Sequence, residues 1–238
     1  MFKDRAWKAL RDKDPEMKSH ADLIAKDLER TLISTKQFNY LSEGWKRLRD
    51  MLYAISYARP DIGYTQGLNF YAGLLILNCK NVDAFNLLCY LLNIPILSNC
   101  MMVDEKYMMI YGNMLEELVN TQLQKLGKYL KSRKYNYLSY IFDGIVALFM
   151  KNFPYETELK LVDRIIQDPE IGVFRISLAV FKALESILIT QRTEEIMMTV
   201  KSPLLYVGEE ELLEILDKTV IEHKDYERLR EKHIKVLN

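Results

Sequence analysis

A chain of 238 residues that carries 33 acidic and 33 basic side chains has no net charge to draw it to nucleic acid. It is 49% apolar, enough to bury a sizeable core, yet no apolar run is long enough to cross a membrane, and the charged opening residues exclude a secretory signal. Nine glycines and six prolines are few for this length, which favours helices over sheets.

The first informative stretch in chain order is IAKDLERT, residues 24–31. Ile24, Asp27 and Thr31, with Leu23 and Leu28, repeat at helical spacing. Asp27 and Arg30 are three apart, so on a helix they share a face and can touch. Two readings stay open there: a surface ion pair, or an aspartate that holds the Arg30 guanidinium in a fixed direction. Next, Leu41, Trp45, Leu48, Leu52 and Ile55 draw one apolar helical stripe. Arg59-Pro60 then ends that helix, because the residue before proline leaves the helical region.

DIGYTQGLNFYAG, residues 61–73, follows. Gly63 and Gly67 fit a turn that launches a buried helix. Equally, that turn can hold one polar side chain, Gln66, outward. Residues 72–98 and 138–150 are apolar nearly all round and are expected to be buried on most sides. Further stripes come from Tyr107 to Val119, from Ile176 to Leu188 and from Leu212 to Val220. Residues 120–136 gather lysines, an arginine and glutamines, which marks either a solvated helix end or a basic interaction patch. The whole reads as about nine to twelve helices with short connections and no fixed repeat.

Enzyme signatures are missing: no phosphate-binding Gly-Lys-Ser/Thr loop, no Gly-x-Ser-x-Gly elbow, no His-Glu-x-x-His pair. Cys79, Cys89 and Cys100 are widely spaced in apolar surroundings and are expected as reduced core residues of an intracellular protein. His20, His223 and His233 look peripheral, unsuited to metal binding or base catalysis.

IAKDLERT followed by GYTQGLN resembles the TBC domain, the GTPase-activating domain for Rab small GTPases. The family carries Ile-x-x-Asp-x-x-Arg in one motif and Tyr-x-Gln in the next. Here these are Ile24, Asp27 and Arg30, then Tyr64 and Gln66. The intervening FNYLSEGWKRLRDMLYAISYARPDIGYTQG and the later IFDGIVALFMKNFPYETELKLVDRII, with its aspartate at Asp163, are also similar to the family. Trp7 suits a tryptophan of its first motif. Three positions depart: Lys3 stands for an arginine, Gly144 for an aromatic, and no proline follows Thr31.

The resemblance implies an all-α, irregular multi-helix fold of two packed helical subdomains. It implies one domain over residues 1–238, short at its N-terminal edge, with halves at about 1–125 and 126–238. It implies a Rab GTPase activator acting in vesicle trafficking, without a substrate pocket or cofactor of its own, because GTP and Mg²⁺ belong to the GTP-loaded Rab. Arg30 would neutralise charge on the transferring phosphoryl group, and Gln66 would orient the attacking water. Asp27 would position Arg30, Tyr64 would turn Gln66 outward, Ile24 would anchor the helix, Thr31 would follow the arginine, and Gly63 and Gly67 would let the loop turn. The expected protein is a cytoplasmic monomer, peripheral on endomembranes only through its partner or flanking regions. A catalytically silent TBC-like scaffold is the alternative, and an unrelated helical adaptor a third reading.

Overall fold

The structure is a computed structural model and describes residues 1–237. Among the described residues every regular element is helical, with fifteen α-helices and two 3₁₀ turns, at Ile33–Thr35 and Pro203–Leu205. That exceeds the nine to twelve expected. The excess lies in short pieces, such as the four-residue Glu185–Leu188, which periodicity merges with their neighbours. The chain divides into two compact units: Met1–Met102 with Val146–Leu148, and Val103–Ile145 with Phe149–Asn238. The division thus falls between Met102 and Val103. The charged stretch at 120–136, expected as the boundary, lies inside the second unit.

The first unit holds α1 (Phe2–Arg11), α2 (Pro15–Leu28), α3 (Glu43–Ala58), α4 (Leu68–Asn78), α5 (Asn81–Leu91) and α6 (Pro95–Met101). Asp14 starts α2 by accepting the Glu16 and Met17 amides at 3.0 Å, with Pro15 preset at the first helical position. Ser42 caps α3 through the Trp45 amide at 3.1 Å. The α3 stripe goes where expected for Leu48, Leu52 and Ile55, each with 0% exposure, and each such burial stabilises by about 1.5–3 kcal/mol. Leu41 is a correction: it precedes the cap, has φ 62° and is exposed. Helix α3 packs against α1, α2 and α4. Arg49 lies over the rings of Trp7, at 4.9 Å, and Trp45, at 5.2 Å.

The second unit holds α7 (Glu105–Gln122), α8 (Gln124–Ser132), α9 (Tyr137–Val146), α10 (Tyr155–Gln167), α11 (Pro169–Ala183), α12 (Glu185–Leu188), α13 (Thr193–Lys201), α14 (Glu209–Lys218) and α15 (His223–Leu237), with the last residue of α9 packing in the first unit. Helix α11 is buried along most of its length and packs against α7, α10 and α14. The stripe from Ile176 to Leu188 is split at Leu184, where α11 ends. Val220 lies beyond α14 and is exposed, so the expected stripe ends at Leu216. Gly144 stands for an aromatic because the Phe149 ring covers it: a Cβ there would sit 2.5 Å from Phe149 Cε1. Only Cys100 is a true core thiol. Cys79 and Cys89 are half-buried, at or near helix ends, and all three are free.

Glu158 on α10 is fully buried and neither carboxyl oxygen has a hydrogen-bond partner among the described residues. Burial pushes its pKa well above the ordinary glutamate value. The folded state therefore holds a proton that the unfolded chain releases above about pH 4.3, and stability falls as pH climbs from there toward the folded value. Thermal unfolding of Glu158→Gln across a pH series is expected to lack this decline. The wild type loses on the order of 1 kcal/mol per pH unit relative to the variant. Parallel pH profiles would refute a buried neutral Glu158.

Candidate functional site

Helix α2 ends at Leu28, so Arg30 stands in the turn beyond it and not on the helical face the spacing suggested. The turn is closed by the Arg30 amide donating to the Asp27 carbonyl at 3.1 Å. Ile24, with 0% exposure, fixes the last turns of α2 to the core. Asp27 is buried at 3% exposure, which requires its charge to be paired. Its Oδ1 accepts from Arg30 Nε at 2.8 Å and also from Nη2. Its Oδ2 accepts from the Tyr64 hydroxyl at 2.6 Å. One carboxylate thus divides its two oxygens between the two short motifs. The Arg30 side chain remains 52% exposed, and Nη1 makes no hydrogen bond among the described residues.

Tyr64 is buried, and burial, then the hydrogen bond and charge of Asp27, push its phenol well above the ordinary tyrosine value. It stays a protonated donor at any physiological pH. Thr31 links the motifs a second time: its hydroxyl donates to the Asp27 carbonyl at 2.7 Å and accepts from Asn69 Nδ2 at 2.9 Å. Asn69 Oδ1 in turn accepts the Gly67 amide at 3.1 Å. The loop before the glutamine is held by Arg59, which donates to Asp61 and, through Nη1, to the Leu92 carbonyl at 2.9 Å. Between these anchors Gln66 is exposed, with no hydrogen bond among the described residues.

Both loop glycines are required. Gly63 has φ 61°, and a Cβ would meet His20 Cε1 at 2.5 Å. Gly67 has φ 112°, and a Cβ would lie 2.2 Å from the Val146 carbonyl oxygen. Backbone oxygen cannot move aside as a flexible side chain can, so Gly67→Ala combines a left-handed backbone with a hard overlap. A loss of roughly 2–4 kcal/mol is expected in denaturant unfolding. An unfolding midpoint equal to wild type would contradict this geometry.

The structure brings Ile24, Asp27, Arg30, Thr31, Tyr64, Gly63 and Gly67 into one network, with Gln66 projecting beside it. Two further residues, His20 and Arg59, escaped sequence reasoning. His20 accepts the Tyr64 amide at 3.3 Å on Nδ1 and packs under Gly63. Its step of four before Ile24 put it on the same helix face and was the available signal. Arg59 is the loop brace. Asn69 is buried and hydrogen-bonds the loop. Asp163 is exposed on α10 and joins none of these bonds. No group of three or more His, Cys, Asp or Glu side chains comes together as a metal site among the described residues.

Next to Arg30, the segment to α3 puts Leu32, Lys36 and Leu41 in the left-handed region and exposes Ile33, Tyr40 and Leu41. A cavity of about 190 Å³ there is lined by Thr31, Ile33, Phe38, Tyr40 and Trp45, among others. An exposed arginine tip, an exposed amide and an apolar rim suit contact with another macromolecule better than enclosure of a small substrate.

Residues 5–189 match the family model for the Rab-GTPase-TBC domain. The chain is 32% identical over 167 residues to TBC1 domain family member 14 of Rattus norvegicus, covering 70% of this chain and 24% of that protein. It is 33% identical over 184 residues to TBC1 domain family member 12 of Rattus norvegicus, covering 75% and 27%. It therefore spans about a quarter of the length of these curated relatives. The fold is similar to the Chlamydomonas flagellar RabGAP TBC domain, with TM-score 0.68, 21% identity and coverage of 93% of this chain and 72% of that one. It is similar to the Ypt/Rab-GAP domain of Gyp1p, with TM-score 0.73, 16% identity and coverage of 92% and 78%. The helical fold, the paired motifs and the match over residues 5–189 lead to one conclusion: the chain belongs to the Rab-GTPase-TBC domain family.

Proposed function

We propose that this chain is a GTPase-activating protein for Rab-family small GTPases that supplies Arg30 and Gln66 in trans. The observation that carries the reading is the shared Asp27 carboxylate: it binds Arg30 with one oxygen and Tyr64 with the other, and Gln66 is left exposed without a partner. Hydrolysis of GTP needs a water in line with the γ-phosphorus and positive charge on the transferring group as the bond to the bridging oxygen breaks. Arg30, aimed by Asp27 through Nε and Nη2, offers its free Nη1 to that charge. The Gln66 amide can accept from the attacking water and donate to a phosphate oxygen. GTP and Mg²⁺ are carried by the partner, so the protein needs no phosphate loop or cofactor of its own. Ile33, Tyr40 and Leu41 form the apolar rim against which the GTPase docks. On this reading the chain works as a cytoplasmic monomer in vesicle trafficking, on Rabs attached to endomembranes.

The test is a GTP-hydrolysis screen against a panel of Rab proteins loaded with GTP. At least one member is expected to hydrolyse faster by orders of magnitude in the presence of the chain. Saturable binding to a Rab with no acceleration across the panel would leave a silent scaffold instead.

A further inference from the structure

From Leu118 to Phe142 the chain has no Asp or Glu and five cations: Lys125, Lys128, Lys131, Arg133 and Lys134. Helix α8 carries the first three. Its Leu126, Gly127 and Leu130 are buried, and Gly127 lies so close to α7 that a Cβ would sit 2.4 Å from Asn120 Oδ1. The apolar side is thus fixed inward. At about 100° per residue, Lys125, Lys128 and Lys131 fall on the opposite side, and Arg133 and Lys134 follow in the next turn. All five are exposed. None makes an ion pair among the described residues; in the same unit Lys182 and Lys224 also stand without one, while Lys160, Lys201, Lys218, Lys232 and Lys235 are paired.

Like charges three residues apart repel, so this face is unfavourable without an anionic counterpart. The makeup of the patch selects that counterpart. Four of the five cations are lysines, which act as point charges, whereas forked recognition of a single carboxylate or phosphate uses arginine. Lysine is depleted in the cores of protein interfaces, and the one aromatic of α8, Tyr129, is half-buried, with Arg133 5.1 Å above its ring. The outer side of a helix has no walls to enclose a small anion. A plane of anionic headgroups meets a row of lysines along one helix face without needing walls, and a cluster of this size on an amphipathic helix is in the range that binds acidic lipid.

We propose that α8 and the turn after it form an electrostatic contact for an anionic phospholipid bilayer. The contact belongs to the chain itself, adds to any association borne by a partner, and does not rest on the GTPase reading. Co-sedimentation of the whole chain with vesicles tests it, using phosphatidylcholine alone and phosphatidylcholine with about 30 mol% phosphatidylserine. Binding is expected on the anionic vesicles only, and it falls steeply between about 0.1 M and about 0.5 M salt. The triple variant Lys125→Glu, Lys128→Glu, Lys131→Glu is expected to bind at least about a hundredfold more weakly. The control Lys18→Glu, Lys80→Glu, Lys224→Glu changes net charge equally at scattered exposed sites and is expected to lose far less. Lysine-to-glutamine versions of both triples guard against misfolding in the reversed forms. Equal binding to neutral vesicles, equal loss in both triples, or capture of an acidic peptide without vesicle binding each overturns the proposal.

Discussion

Replacing Arg30 by alanine is expected to cut the acceleration of GTP hydrolysis by roughly 10³-fold or more, with Rab binding largely retained. On the proposed function the arginine meets charge that exists mainly in the transition state, so its loss is expected to fall on the maximal rate and little on the concentration for half-saturation. Single-turnover hydrolysis at saturating activator separates the two. Arg30→Lys is expected to fail nearly as badly. Asp27 aims the guanidinium through Nε and Nη2 while Nη1 stays free, and a lysine has no fork with which to be held at one end and act at the other. Asp27 keeps its bond from Tyr64 in both variants, but Arg30→Ala takes away its paired charge, so unfolding is measured beside the rate to separate lost catalysis from lost stability. Full activity in Arg30→Ala would refute the assignment of the arginine.

Gln66→Ala carries the second-largest expected effect, a loss of roughly 10²-fold or more in the same assay. It is also the cleaner experiment. Gln66 is exposed and makes no hydrogen bond within the described protein, so its truncation removes nothing from the folded state. The unfolding free energy is therefore expected to stay within the scatter of a neutral surface change, about ±0.5 kcal/mol. A rate loss without a stability loss places the deficit in the catalytic complex. Retained acceleration by Gln66→Ala would mean that the water is oriented by the GTPase alone.

Much of this site could be read from the sequence because its parts are short and local. Ile24, Asp27 and Arg30 shared a helical spacing, the resemblance to the TBC family singled them out together with Tyr64 and Gln66, and the glycines followed from what a tight turn demands. What sequence could not give was where helix α2 stops. A residue two places past the end of a helix has the same spacing as one inside it, and only the closing bond from Arg30 to the Asp27 carbonyl distinguishes them. His20 was hidden for another reason: its partner, the Tyr64 amide, is a backbone group, which leaves no trace in residue identity. Amphipathic stripes located α3, α7 and α11. They overran the ends of helices at Leu41, Leu184 and Val220, where apolar residues continue while the backbone turns. The unit boundary at Met102 was invisible because no change in composition marks it.

The packing of Val146–Leu148 in the first unit bears on any attempt to cut this protein into working parts. A fragment ending at Met102 would contain Arg30, Gln66 and every side chain of the network that joins them. It would still be missing a wall of the Gly67 loop, because the carbonyl that Gly67 nestles against belongs to Val146. The face proposed to meet the GTPase is contiguous in space but not along the sequence. A minimal version of the first unit would need those three residues grafted back, or the chain kept whole through Leu148.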